Sequence, residues 1–290
     1  MSAAQASSHE GPLAMLCGGG SLPLAVAQSV TSRGRPVLLF LLSGAADGTA
    51  LEQFPHHWVY LGQVGKFLRL ARAAGCRELL AIGSLVRPSV WQTRLDLKAI
   101  SLLPRILTAF RGGDNHLLTE LGKLVEQHGF HLVGAHEVAP EILVPEGRLG
   151  RAEATERDRA DIALGFDYLQ ATGPFDVGQA VVVAGRHVIA VEAAEGTDQM
   201  LARVADMRRN GRVQTSAGIG VLVKAPKPGQ DHRFDLPSIG PLTVAGVAAA
   251  GLAGVAVVAG QTVIAEPERV TLDADKAGIF VIGARGKSEP

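Results

Sequence analysis

Several short stretches of this chain are apolar at every position instead of at alternate ones, and that pattern constrains the fold most. Pro36–Leu42 is a continuous apolar run, Leu13–Cys17 is a second, and Trp58–Leu61, Glu78–Ile82 and Phe130–Val133 are strand-like. A strand that wets one face alternates apolar with polar residues. A strand apolar throughout is covered on both faces, which is the condition of a parallel sheet flanked by helices.

Helical spacing fills the gaps between these runs. Leu22–Ser32 reads as a helix, and Val64–Ala74 carries Val64, Phe67, Leu68 and Ala71 on one face, with Gly75 placed to end it. Leu117, Leu121, Leu124 and Val125 mark another helix ending near Gly129. The rhythm breaks at Pro140–Gly150, rich in proline and glycine. Beyond it the sequence predicts a helix over Asp158–Leu169 and a hairpin of Ala180–Val183 with His187–Val191. A helix follows through Met200, Leu201, Val204 and Met207, capped by Thr197 or Asp198, and then a strand over Gly218–Val223. The expected fold class is α/β in two domains. Residues 12–137 form a Rossmann-like parallel sheet, 138–150 a linker, and 151–285 a mixed α/β domain, with the active site between the domains.

Met1–Gly11 is small and polar, lacks the basic–apolar pattern of a signal peptide, and is expected to be a disordered extension. Leu236–Ala265 has no charged side chain and is long enough to span a bilayer. Its glycines, Pro241 and polar residues favour a small-residue helix, Val244–Ala253, feeding a buried strand, Val255–Val258. The 28 Lys and Arg balance 28 Asp and Glu, and aromatics make up 4% of the 290 residues, so nucleic acid is not an expected partner. Cys17 and Cys76 sit in apolar contexts and read as buried free thiols.

Chemistry is concentrated where strands end. Cys17–Pro23 (CGGGSLP) joins the first strand to the first helix. Gly18, Gly19, Gly20, Ser21, Leu22 and Pro23 either bring backbone amides to a phosphate or form a tight structural turn. Pro23 falls where a dinucleotide fingerprint needs its third glycine, and no acid follows the second strand, which disfavours a nicotinamide cofactor. Lys66 follows the next strand, and Gly83, Ser84 and Arg87 the one after. Each of these reads as a substrate contact or an ordinary turn. Asp114 caps a helix or points a carboxylate at substrate.

Two loops of the second half carry five acids. Val188–Val191 runs into Glu192, Glu195, Thr197 and Asp198. Gly220–Val223 runs into Lys224, Lys227, Asp231, Arg233 and Asp235, with Pro228 and Pro237 stiffening the flanks. Carboxylates and cations at these spacings suit a divalent metal and a diphosphate, and they also suit two solvated turns. Asp231 and Asp235 are the leading catalytic and metal-binding candidates, either one able to act as general base. Arg233, Lys227 and Lys224 neutralise phosphate charge. Glu192, Glu195 and Asp198 are further metal candidates, although Glu195 and Asp198 also suit a helix start.

In this order, CGGGSLP, GQVGK (Gly62–Lys66), GSLVRP (Gly83–Pro88), GGDN (Gly112–Asn115), DVGQAVVV (Asp176–Val183), VEAAEGTD (Val191–Asp198) and VKAPKPGQDHRFDLPSIGP (Val223–Pro241) resemble the LpxI family. These are the UDP-2,3-diacylglucosamine pyrophosphatases of lipid A biosynthesis in Gram-negative bacteria. The likeness runs from about Leu13 to Gly283, and the two C-terminal motifs are its most specific part. Cys17 departs from the alanine expected before the glycines. The resemblance implies hydrolysis to 2,3-diacylglucosamine 1-phosphate (lipid X) and UMP with Mg²⁺ or another divalent metal. It also implies a lipid-linked UDP-sugar as substrate and a cytoplasmic enzyme peripheral to the inner membrane, with homodimerisation left open. A non-catalytic UDP-sugar or lipid-binding regulator is the alternative reading.

Overall fold

The computed structural model describes residues 11–84, 94–102, 122–175, 177–228, 231–233 and 236–285. The expected extension (except Gly11), Arg87, the GGDN motif with Asp114, the start of the helix through Leu117 and Leu121, and Asp235 lie outside them. Two compact units divide the chain, 1–139 and 140–290.

In the first unit, strands β1 (Leu13–Cys17), β2 (Val37–Leu42), β3 (His56–Val59), β4 (Glu78–Ile82) and β5 (His131–Leu132) form a parallel sheet in the order β3-β2-β1-β4-β5. Helices α1 (Leu22–Ser32), α2 (Gly48–Leu51) and α3 (Val64–Ala73) connect the first four strands. All six residues of β2 are buried, as the unbroken apolar run requires. Phe40 is fully buried and its ring meets Phe67 of α3 edge-on, centroids 4.6 Å apart. Strand order reverses between β1 and β4, so the turns after these two strands lie side by side. Strand β3 lies two residues earlier than its own apolarity suggests, because pairing with Leu39–Leu42 of β2 sets its register. Cys17 and Cys76 are free and buried, and burial pushes the Cys17 thiol up to about 12.

The second unit holds β6 (Gly147–Leu149), α4 (Glu156–Thr172), β7 (Ala180–Ala184), β8 (His187–Val191), α5 (Gly196–Arg209), β9 (Val221–Lys224), β10 (Ser238–Ile239), α6 (Pro241–Ala249), β11 (Gly254–Val258), β12 (Val263–Ile264), α7 (Pro267–Ala277) and β13 (Phe280–Ala284). Its main sheet runs β6-β13-β11-β9-β7-β8, parallel from β13 to β9 and antiparallel at β6, β7 and β8. Alternate residues of the central strands feed two cores. Ala180, Val182, Leu222, Val255 and Val257 pack with Met200, Leu201, Val244, Val247 and Val270 of α5, α6 and α7. Val181, Val183, Val221, Val223 and Ala256 pack with Ile162 and Leu169 of α4. Both faces are covered, which explains why these strands too are apolar throughout.

The Pro140–Gly150 stretch is structured, since it supplies the edge strand β6 against β13. The expected hairpin is present. Gly185 and Arg186 both adopt left-handed backbone, at φ 60° and 64°. The fully buried Asp161 of α4 accepts their two amides at 3.0 and 2.6 Å. The uncharged stretch is broken into α6 and β11, and among the described residues no helix is long and apolar enough to cross a membrane.

Candidate functional site

In the first unit the two glycine turns beside the reversal of strand order bind each other. The Gly18 amide donates to Ile82 O at 2.8 Å, and Gly19 and Ser84 exchange amide–carbonyl bonds of 2.9 Å. Gly83 sits at φ +98°, where a Cβ would lie 2.7 Å from Gly19 O and 2.9 Å from the Pro23 ring. Here the amides of Gly18 and Gly19 serve the neighbouring turn. Gly20 and Ser21 are exposed beyond it, Leu22 is half-buried, and Pro23 is buried at the start of α1.

The Lys66 turn is closed in another way. The Asp96 carboxylate accepts from the Gly65 and Lys66 amides at 2.7 and 3.1 Å and from Ala99 N at 2.8 Å. It occupies the start of α3, where an anion would otherwise be favoured. Lys66 Nζ donates to Trp58 O at 3.0 Å. Asp96 is one of the residues that sequence reasoning missed, although an acid placed just before a helical run is a recognisable cap.

In the second unit, polar side chains meet each other at the strand ends. Strand β9 is apolar until its last residue, Lys224, which is only 6% exposed. A buried ammonium is costly unless its hydrogens find acceptors. Lys224 Nζ donates to Thr197 Oγ1 and to Ser238 O, both at 2.9 Å. Thr197 Oγ1–H donates to Glu192 Oε1 at 2.7 Å, and Glu192 Oε2 accepts from Gln179 N at 2.7 Å. Gly178 is pressed against this carboxylate's stem, since a Cβ there would lie 2.5 Å from Glu192 Cγ. A single hydroxyl thus bridges Lys224 and Glu192. The contacts to Gln179 and Ser238 were not foreseen, though Gln179 lies in the DVGQAVVV motif.

Lys224 also closes the base of a loop. The chain leaves β9 at Lys224 and returns to β10 at Ser238, the residue whose carbonyl the ammonium binds. Within this loop Arg233 grips Asp231: Nε lies 3.0 and 3.2 Å from the two carboxylate oxygens and one terminal nitrogen lies 2.7 Å from Oδ2. The Arg233 hydrogen bonds hold the Asp231 carboxyl below its usual range. Both side chains stay partly exposed, and Lys227 is half-buried nearby in sequence.

Helix α5 starts at one of the two acids that suit a helix start, not at either of the expected caps. Glu195, not Thr197 or Asp198, holds the cap position, and its side chain makes no cap bond. Thr197 is engaged by Glu192 and Lys224 instead. Glu195 pairs with Arg203 at 2.7 Å, and its carboxyl is lowered by its own backbone amide first and by Arg203 second. Asp198 is exposed in the first turn of α5.

These acids do not form a cation site among the described residues, where no three metal-ligating side chains gather. Glu192 is bonded to Thr197 and Gln179, Glu195 to Arg203, and both oxygens of Asp231 face Arg233. Taken alone they do not fit a divalent ion.

Both units match known families. The model described as the LpxI N-terminal domain matches residues 12–142, and that of the LpxI C-terminal domain matches 145–282. A protein of Caulobacter vibrioides (strain ATCC 19089 / CIP 103742 / CB 15), "UDP-2,3-diacylglucosamine pyrophosphatase LpxI", is 38% identical over 278 residues, covering 96% of this chain and 99% of the relative.

Proposed function

The chain belongs to the LpxI family, and on that premise we propose that it hydrolyses the pyrophosphate bond of UDP-2,3-diacylglucosamine, giving 2,3-diacylglucosamine 1-phosphate (lipid X) and UMP. Its place would be the cytoplasmic face of the inner membrane, in lipid A biosynthesis. The observation that supports this reading best is the fixed base of the Lys224–Ser238 loop, tied through Thr197 to Glu192. Hydrolysis of a diphosphate asks the protein for positioning and charge neutralisation more than for covalent chemistry.

In this mechanism Arg233, oriented by Asp231, contacts the diphosphate, with Lys227 adding positive charge. Asp231 or Asp235 orients the attacking water. Lys224 is already bonded on two sides and works as the anchor that sets the loop and the start of α5. A divalent metal such as Mg²⁺ enters the proposal as an ion carried on the substrate's phosphates, since Glu192, Glu195 and Asp231 are engaged by protein partners, and it would supply charge neutralisation there.

Purified protein is incubated with UDP-2,3-diacylglucosamine and Mg²⁺, and UMP is followed. Turnover lost on chelation and restored by Mg²⁺ supports the reading. Asp235→Ala and Asp231→Ala are each expected to lose at least ~10²-fold in turnover. No UMP above a heat-killed control would favour the non-catalytic binder instead.

A further inference from the structure

The first unit carries an apolar surface that its own core does not use. Residues 97–102 are helical; Ala99 and Leu102 fill the inner side, buried to 2% and 6% exposure. Leu97 and Ile100, one turn apart, remain 86% and 52% exposed, and Leu95 beside them 44%. Asp96 staples this segment to the turn after β3 through Gly65 and Lys66, and its own amide donates to Gly62 O at 3.0 Å. That turn begins with the exposed Leu61, next to Tyr60 and Trp58.

The exposed charges beside Leu95, Leu97 and Ile100 are cations. Arg94 lies over the Tyr60 ring, 4.4 Å from its centroid, and Lys98 packs at Gly65. Both cations are exposed, and among the described residues neither meets a carboxylate. Asp96 turns its oxygens inward onto three amides. Glu52, which accepts from the Trp58 indole, is the acid at the margin.

We propose that this face, built from Leu61, Leu95, Leu97 and Ile100 with Arg94 and Lys98, docks the protein on an anionic lipid surface. Aliphatic tips flanked by cations, with tyrosine and tryptophan alongside, match the layers of a bilayer interface: acyl chains, then rings at headgroup depth, then phosphate. A second copy of the chain fits less well, because a symmetric contact would set this cationic patch against an identical one. The biological use of the face rests on the lipid substrate proposed above.

The test is flotation of the full chain with phosphatidylethanolamine–phosphatidylglycerol vesicles and, separately, with phosphatidylcholine vesicles, in the absence of substrate. Wild type is expected to float with the anionic vesicles, less so at high salt. Leu97→Ser/Ile100→Ser should lower binding by about tenfold or more, with thermal stability kept. Arg94→Gln/Lys98→Gln should remove the preference for anionic lipid. Turnover in detergent micelles should be unchanged in both variants, while turnover on vesicle-embedded substrate falls. Wild type that does not float, or double-serine protein that floats equally, overturns the docking face. A wild-type dimer that the serine pair dissociates overturns it too, and makes the face a contact between copies. Vesicle binding lost in the variants with no UMP from any form leaves the docking face standing and removes the pyrophosphatase.

Discussion

The two units both place glycines and charges where strands end, but they satisfy their polar groups in opposite ways. After β1 and β4 the backbone satisfies itself, Gly18 and Gly19 bonding Ile82 and Ser84, and the next turn is filled by Asp96. After β8 and β9 the side chains do this work, with Lys224, Thr197 and Glu192 in one line. Glycine-rich turns here are contact surfaces between turns. The charged loops of the second unit hold their side chains by bonds to one another.

The sharpest way to break that contrast is to compare two lysines. Lys224→Met is expected to cut turnover by about 10²-fold or more, because Glu192 and Thr197 then lose the group that fixes them. Lys66→Met, whose ammonium binds a single backbone carbonyl, should cost less than about tenfold. Equal losses, read as UMP release, would erase the distinction.

Thr197 tests whether the line is a line. Thr197→Val removes both of its hydrogen bonds and should lower turnover by about tenfold with little change in KM. Thr197→Ser should recover most of it.

The self-bonded turn should show itself in stability. Gly83→Ala adds a Cβ at positive φ against Gly19 O and is expected to destabilise by about 1–3 kcal/mol in urea melts. A smaller change would mean that the turns can part without cost.

The smallest effect is electrostatic. Arg233 depresses the Asp231 carboxyl in the folded state, so its contribution is complete above the ordinary aspartate value near ~3.9 and is lost as pH falls through the lower folded value. Melting temperatures of wild type and Asp231→Asn should therefore differ by a constant at neutral pH and converge only in strong acid. Partial exposure keeps the difference small and salt-sensitive. Convergence already near neutral pH would show that the pair does not form.

Much of the fold was legible in the sequence because composition decides it locally. Helix α1 has the expected bounds, since Pro23 suits a first turn and the stretch between β1 and β2 leaves room for little else. The double-faced apolar runs gave the parallel sheet. The displaced β3 and the strand within Pro140–Gly150 were not legible, because each depends on the partner's backbone and not on its own side chains. The same division holds at the site. Glu192, Thr197, Lys224, Asp231 and Arg233 stand out as polar residues after apolar strands. Which of them touch depends on β9 lying beside β7 and β7 beside β8, a fact no local pattern carries. Thr197 shows the result: its local position suits a cap, and its tertiary position makes it a bridge.

Asp161 has a consequence for the order of assembly. A two-residue turn usually sets the register of its hairpin by itself, early and locally. Here the turn between β7 and β8 includes Arg186 in a backbone conformation that a side chain resists, and its two amides are held by a carboxylate from α4. The hairpin therefore reaches its final geometry only once that helix has docked. Protection of the Gly185 and Arg186 amides from hydrogen exchange then becomes a clock for helix docking rather than for hairpin closure.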